Sequence, residues 1–451
     1  MDDFKKPPVL SVCMIVKNEE NFLPDCLESV KTVADELIVV DTGSVDKTVE
    51  IAKSFGAIIK YFEWIDDFSA ARNESIKYAT GKWVLWLDAD ERLTKESIPH
   101  LKQIIQTNQK SFYKIHITNK TKSGTTESDA HRLFRNVKGV RFEGRIHEQI
   151  YQSCVNSGLK QKDTAVRLYH LGYDQNEVDS KNKSERNLNL LKKLVEDSPN
   201  SSYAHFTLGQ CYSLRGDDEK AIQHFEKSYE LKNMSRPLTG SLYNCLADSY
   251  FNIGKIDKAV EFADKSIKLI SKQIGGYVLH YKIFDKQDQH DKAILNLNRV
   301  LNFLEYFKTH PKTISTDVTL PVFMVHKSKG ESYLKLEKFK QAVESFRKSW
   351  ETSPDKSASL LKKFTELAVN HSDLENACFG LEEMRQRDMD TIQVLDLLGI
   401  TYIKLNNMSK AINAYEELLE FHPGNEQVKR RLAALHVKTG NHDKAQELLA
   451  G

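Results

Sequence analysis

Two carboxylates separated by one residue, Asp88-Ala89-Asp90, follow the apolar run Trp83-Val-Leu-Trp-Leu87 and precede Glu91. If strand geometry persists there, residues 88 and 90 point the same way and the two carboxylates come together. Such a pair does not close a cage around a hard divalent ion. It leaves positions for water and phosphate oxygens, as magnesium and manganese prefer. A metal so held neutralises charge developing on a departing diphosphate. The triplet recurs at Asp388-Met-Asp390 in a helical region, so context carries the inference. A further carboxylate, Asp41, ends the run Leu37–Val40 and precedes Thr42-Gly43-Ser44. Gly43 permits a tight turn, and Ser44 or Asp46 can cap the helix that follows. Capping explains Ser44, Asp46 and Thr48; Asp41, at the strand terminus, is placed to bind a base or ribose.

These residues need elements to position them. Leu10–Val16, Leu37–Val40 and Trp83–Leu87 are short apolar runs bounded by polar turns. Between them lie amphipathic stretches of helical spacing, Asn21–Thr32, Val45–Phe55 and Phe68–Tyr78. Alternating strands and helices predict an α/β sheet with parallel strands and helices on both faces. Ligands in that architecture sit at the carboxyl ends of the strands. Lys17-Asn18-Glu19, Asp41-Thr-Gly-Ser44 and Asp88-Ala-Asp90 each follow a run, so all three gather along one edge.

The carboxy-terminal part repeats. Gly209/Ala221/Phe225 sets a small residue, then +12, then +16. The same offsets recur at Ala247/Ala259/Ala263, Tyr281/Ala293/Leu297, Gly330/Ala342/Phe346, Thr365/Ala377/Leu381, Gly399/Ala411/Tyr415 and Ala433/Ala445/Leu449. The anchors advance by 38, 34, 49, 35, 34 and 34 residues, and every +12 position is alanine. This pattern resembles the tetratricopeptide repeat, a helix pair stacked into a solenoid. Small residues on each helix let the axes approach to about 8–10 Å, and the +16 residue is expected to fill the gap to the next pair. Tyr212, Tyr250, Tyr333 and Tyr402 each lie one turn beyond an anchor. Pro354 and Pro423 fall where repeats end, and the longest insertion, Thr309 to Pro321, reads as a loop carrying Pro311. The expected domains are 1–175 for the sheet and 176–451 for about seven repeats.

Composition narrows the function classes. The 451 residues include 65 Lys plus Arg against 63 Asp plus Glu, a net charge of +2, which excludes a polyanion-coating protein and predicts no nucleic-acid partner. The most apolar short run, Trp83–Leu87, is far below the ~20 residues of a membrane span. No signal-peptide region is visible near Met1, and the cysteines at 13, 26, 154, 211, 245 and 378 show no pairing motif. A reduced, cytoplasmic location is expected.

The amino-terminal motifs resemble those of the inverting family 2 glycosyltransferases of GT-A type, a nucleotide-sugar-binding fold. The matching residues are Met14-Ile-Val-Lys-Asn-Glu-Glu20, Val40-Asp-Thr-Gly-Ser-Val-Asp46, Ala71-Arg-Asn73 and Leu87-Asp-Ala-Asp-Glu91. The resemblance implies that Asp41 and Arg72 contact the nucleotide, and Asp88 and Asp90 the ribose, diphosphate and metal. It extends through Phe62-Glu-Trp64, Asp67–Asn73, His131–Arg135, Phe142–Glu148 and Tyr169–Tyr173 to members with carboxy-terminal tetratricopeptide repeats. Bacteriocin S-glycosyltransferases of the sublancin type are among these.

Inverting transfer needs a base on the acceptor and stabilisation of the leaving diphosphate. Glu148 is the candidate base; His147, beside it, is a candidate ligand of metal or substrate, and His170 competes as the nitrogen ligand. Arg132, Arg135 and Arg145 are candidates to grip phosphate oxygens, because guanidinium matches them bidentately. The expected activity is a metal-dependent transfer of a hexose from a UDP-sugar, with manganese or magnesium. Concave solenoids suit extended peptides, which favours a peptide or protein acceptor bound partly by the repeats. Two alternatives are a lipid-linked saccharide of the envelope, approached peripherally at the membrane, and a non-catalytic repeat scaffold with a relic transferase domain. The helix ending at Gly451 reads as a cap or a homodimer contact.

Overall fold

The computed structural model of the chain describes residues 7–121, 124–171, 177–310, 318 and 320–450. The first six residues, Tyr173 of the last amino-terminal motif, Pro311 of the long insertion and Gly451 lie outside the described residues.

The first half alternates as its hydrophobic runs require. Strand β1 (Leu10–Val16) leads to helix α1 (Leu23–Val30), then β2 (Glu36–Asp41), α2 (Thr48–Ser54), β3 (Ile58–Tyr61), α3 (Phe68–Lys77) and β4 (Trp83–Trp86). Strand β1 is almost wholly buried, the mark of a strand covered on both faces. Helix α1 buries Leu23, Cys26, Leu27 and Val30, spaced three and four apart, and carries proline in its first turn. Strands β3, β2, β1 and β4 pair in parallel in that order. Val16 lies opposite Asp41, and Cys13 opposite Trp86, so the three loops after β1, β2 and β4 emerge at one edge, as expected.

Beyond β4 the chain departs from simple alternation. Short β5 (Glu91–Leu93) and α4 (Ser97–Ile105) precede a long hairpin of β6 (Ser111–Thr121) and β7 (Gly124–Arg135). Helix α5 (Tyr151–Asn156) and β8 (Lys160–His170) complete an eight-stranded sheet, order β3-β2-β1-β4-β7-β6-β8-β5. Strand β7 runs antiparallel to β4, and β5 antiparallel to β8. Continuous apolar runs do not mark this half: β6 alternates apolar and polar residues from Tyr113 to Ile117, the period-two pattern of a half-buried strand.

Two helices, α6 (Glu177–Asp197) and α7 (Ser202–Leu214), follow. The chain forms two compact units that part within α7, between Cys211 and Tyr212. The first unit therefore extends past residue 175 and takes in α6, where the sequence placed the start of the solenoid.

The second unit continues with α8 (Asp218–Leu231), α9 (Arg236–Asn252), α10 (Ile256–Leu269), α11 (Gly275–Lys286), α12 (His290–Tyr306), α13 (Val322–Lys335) and α14 (Phe339–Thr352). It ends with α15 (Ala358–Asn370), α16 (Leu374–Arg385), α17 (Thr391–Lys404), α18 (Met408–Phe421), α19 (Glu426–Lys438) and α20 (His442–Ala450). All seven +12 alanines are at most 3% exposed. Two of the large +16 residues pack within their own pair as well as toward the next, where Lys363 of α15 lies 4.3 Å over the Phe346 ring. A Cβ on Gly330 would meet the Phe346 ring at 2.7 Å, and one on Gly399 the Tyr415 ring at 2.4 Å. Each ring thus lies on the glycine of its own pair, where hydrogen replaces a side chain and lets the helices close.

Candidate active site

The sheet register assembles the site. Leu85 pairs with Leu133, which sets Arg132 across from the end of β4. Glu91 pairs with His170, and His170 with Asn119, so β5, β8 and β6 set these residues in a row. Asp67 caps α3 by accepting the Ala70 amide at 2.9 Å, and the helix carries Arg72 inward one turn later.

Arg72 and Arg132 are each 7% exposed and converge on Asp88. Arg72 Nη2 donates to Asp88 Oδ1 at 2.9 Å, and Arg132 Nη2 to Asp88 Oδ2 at 3.1 Å. The outer face of each guanidinium meets another carboxylate: Arg72 Nε is 2.5 Å from Glu148 Oε1, and Arg132 Nη2 is 2.5 Å from Glu91 Oε1. Both guanidinia lie against the Trp86 ring, their carbons 4.0 Å and 3.5 Å from its centroid, a spacing that permits cation–π attraction. Trp86 is fixed by its N–H to the His131 carbonyl at 2.8 Å and by edge contact with Phe142.

Burial pushes the Asp88 carboxyl upward, but the two guanidinia outweigh it and hold the group well below the usual carboxylate range. Glu91, 2% exposed, is driven upward by burial, with Arg132 opposing and Asp88 adding to the rise. Two cations face Asp88, Glu148 and Glu91, and the Glu91 carboxyl is pushed up to about 7, so the guanidinium charge is matched within the cluster. A cation beside an entering diphosphate would offset its charge.

The two aspartates of the triplet do not point the same way. Strand β4 ends at Trp86, and Glu91 N–H bonds the Asp88 carbonyl at 3.0 Å, turning the chain between the two residues. Asp88 goes to the arginines, whereas Asp90 Oδ2 lies 3.1 Å from His170 Nε2. Asn119 donates from Nδ2 to the Ile117 carbonyl and to Ser128 Oγ, which leaves its Oδ1 to accept from His170 Nδ1 at 3.0 Å. Nε2 then faces a carboxylate, an arrangement that needs either a proton or a cation between the two atoms. The hydrogen bond to Asp90 raises the His170 pKa against the opposing effect of burial. A carboxylate oxygen and an imidazole nitrogen with a fixed outer partner suit manganese or magnesium whose remaining positions go to water and phosphate.

Among the described residues no group of three or more His, Cys, Asp or Glu side chains is gathered to hold a metal. Of the expected Asp88, Asp90, His147 and His170, the structure brings Asp90 and His170 within 3.1 Å of each other, while Asp88 is engaged by the two arginines. His147 is exposed and left-handed at φ +55°, and its ring makes no hydrogen bond among the described residues. Arg135 does not join the site. It pairs with Trp83 at the far end of β4 and donates to the Thr107 carbonyl at 3.3 Å. Arg145 is also engaged elsewhere, its Nε 2.5 Å from Asp197.

On the nucleotide side Asp41 is 4% exposed and accepts the Gly43 and Ser44 amides at 3.1–3.2 Å, so it also stabilises its own turn. Ser44 caps no helix; its hydroxyl accepts from the Asn18 amide at 3.0 Å. Asn18 Oδ1 accepts from Val45 N–H at 2.8 Å, and the Glu19 amide donates to Thr48 Oγ1 at 2.7 Å. These bonds zip the first two loops together beside Asp41 and leave Lys17 exposed. Asp46 accepts from the Thr48 amide at 3.0 Å.

Four residues of this region escaped sequence reasoning: Trp86, Glu91, Asn119 and Tyr203. Trp86 read as part of an apolar strand, and Glu91 adjoins the triplet without its spacing. Tyr203, on α7, has its hydroxyl pushed upward by burial and then by the charge of Glu148. Only the fold brings it near.

Comparison with known proteins finds matches for both parts of the chain. The model described as Glycosyl transferase family 2 matches residues 11–163. Tetratricopeptide-repeat models match 190–223, 240–273, 328–356 and 402–451. A TPR repeat-containing protein of Synechococcus elongatus is 37% identical over 227 residues, 48% of this chain and 55% of that protein. The SPbeta prophage-derived glycosyltransferase SunS of Bacillus subtilis is 34% identical over 230 residues, 49% of this chain and 53% of that one. The chain spans about half the length of these curated relatives. Among solved structures, the crystal structure of MamA protein is 21% identical with a TM-score of 0.32, over 40% of this chain and 87% of that one. No helix of the described residues is long and apolar enough to cross a membrane.

Proposed function

We propose that this chain, a glycosyl transferase family 2 domain joined to tetratricopeptide repeats, is an inverting, metal-dependent glycosyltransferase. It moves a hexose from a UDP-sugar to a peptide or protein acceptor. One observation carries the reading: Asp88 held by Arg72 and Arg132 at the carboxyl edge of the parallel strands, with Glu148 on one side and Asp90–His170 on the other.

Asp41 and the zipped loops Lys17-Asn18-Glu19 receive the nucleotide. Asp88 orients Arg72 and Arg132 toward the diphosphate. Asp90 and His170 would hold the divalent cation, which supplies neutralising charge to the leaving group. Glu148 is the base. Its Oε1 is held by Arg72, and Oε2 has no partner among the described residues. The acceptor oxygen or sulfur gives its proton to Glu148 and bonds to the anomeric carbon from the face opposite the diphosphate. The carbon–oxygen bond to the diphosphate breaks, and its electron pair leaves on UDP. The repeats, together with the relative SunS, support a polypeptide acceptor over a lipid.

The test is release of UDP from a panel of UDP-glucose, UDP-galactose and UDP-N-acetylglucosamine with manganese. Turnover that chelator abolishes and manganese restores is expected. Asp90→Ala is expected to lose at least about 100-fold in rate. Full activity in Asp90→Ala would remove the metal assignment, and a hexose found on lipid extracts and on no peptide would remove the acceptor.

A further inference from the structure

Arg72 and Glu148 meet at 2.5 Å, yet one lies in α3 and the other at the end of a loop far along the chain. The loop Trp64–Phe68 enters α3; the loop Phe142–Glu148 follows β7. Each has an internal tie, Trp64 Nε1 to Asp66 Oδ1 at 2.9 Å and the Glu143–Gln149 backbone pair at 2.9 Å, and each contains left-handed backbone. Asp66 has φ +58°, His147 φ +55° and Gly144 φ +100°, all left-handed. Non-glycine residues persist there only where neighbours hold them. The loops are stitched to each other: Phe68 N–H donates to the Arg145 carbonyl at 2.8 Å, and Asn73 bonds both backbone groups of Phe142 at 3.0 and 2.8 Å.

Helix α6 grips both. Lys193 Nζ is 2.5 Å from Asp66 Oδ2, and Asp197 Oδ2 is 2.5 Å from Arg145 Nε. Arg186 lies 5.4 Å over the Phe68 ring. Residues 186, 193 and 197 are spaced seven and four apart and share one helix face. The helix presents a cation to one loop and an anion to the other, and Arg145, held by Asp197, also donates from Nη1 to the Asp66 carbonyl at 3.4 Å.

We propose that Lys193 and Asp197 are positioning residues: α6 clasps the two loops and thereby sets Glu148 against Arg72. The catalytic consequence rests on the reading of Glu148 as base. The four clasp side chains are 31–52% exposed, and pairs of such exposure add little to global stability. Their value lies in geometry, because small misplacement of a catalytic group costs rate steeply.

The test uses the full chain with Asp197→Asn and Lys193→Gln, singly and together. Amide hydrogen exchange at 64–68 and 142–148 is expected to rise while the rest of the sheet stays protected; unchanged exchange in the double variant would overturn the clasp whatever the role of Glu148. With whichever UDP-hexose the chain turns over, kcat should fall about ten-fold with donor KM unchanged. Asp197→Glu, and the exchanged pair Arg145→Asp with Asp197→Arg, should recover most of it. A double variant with normal kcat, alongside an inactive Glu148→Gln, would also overturn the clasp. A fully active Glu148→Gln with raised loop exchange in the double variant would remove the base and leave the clasp standing.

Discussion

At the scale of single residues, the cluster around Asp88 depends on matched charges out of water. Arg132 is the counterion of Glu91, which is 2% exposed, and Glu91 also accepts the Asp88 amide at 3.0 Å. Removing one partner of a buried pair leaves an uncompensated charge, which costs about 3–5 kcal/mol. Arg132→Ala is therefore expected to lower the unfolding free energy of the sheet unit by that much, as read by urea denaturation. Glu91→Gln keeps the shape and an acceptor for the Asp88 amide, so it should cost about 1–3 kcal/mol. Equal losses would mean that shape and not charge decides. The triplet shows what spacing alone misses. Two carboxylates one residue apart share a side only while the strand continues, and this strand stops two residues too early.

At the scale of elements, the repeats were readable because helix packing imposes small residues at fixed offsets. Gly399 faces the ring of Tyr415, which is fully buried and has nowhere to move. Alanine at 399 gains about 1 kcal/mol of helix propensity, but overpacking costs about 1–3 kcal/mol. Net destabilisation is expected by urea denaturation, with partial recovery when Tyr415→Leu is added. Helix α13 departs from the pattern in another way. His326 has its pKa lowered from 6.5 to about 4 by burial first, then by the charges of Lys329 and Lys348, with Glu344 and Glu351 opposing. The folded state thus binds this proton less readily than the unfolded chain. Stability from the neutral form is complete above pH 6.5 and declines as pH falls toward 4. His326→Gln should flatten the loss of midpoint across that window, and an unchanged slope would place the acid sensitivity elsewhere.

At the scale of the whole chain, the boundary between units matters most. The sheet unit runs to Cys211 and includes α6, whose Lys193 and Asp197 hold loops of the candidate site. A chain ending at 214 is expected to keep a cooperative thermal transition and UDP binding, whereas one ending at 175 should lose UDP binding. The converse result would contradict the unit boundary. The two-part architecture, the strand-end loops and the repeat period were legible in the sequence, because periodic burial and close helix approach write residue types at regular intervals. The sequence also singled out Asp41, Asp88, Asp90, Arg72, Glu148 and His170 as chemistry-bearing residues. Only the tertiary structure decided which of them meet. Strands β6 and β8 alternate apolar and polar residues, as in Tyr113-Lys-Ile115-His-Ile117 and Val166-Arg-Leu168, but alternation does not say which strands pair; their register brings Arg132 to Asp88 and His170 to Asp90, and carries Arg135 to the other end of the sheet. Contacts of long sequence separation depend on register and turn direction, and neither is encoded in the spacing of neighbouring residues.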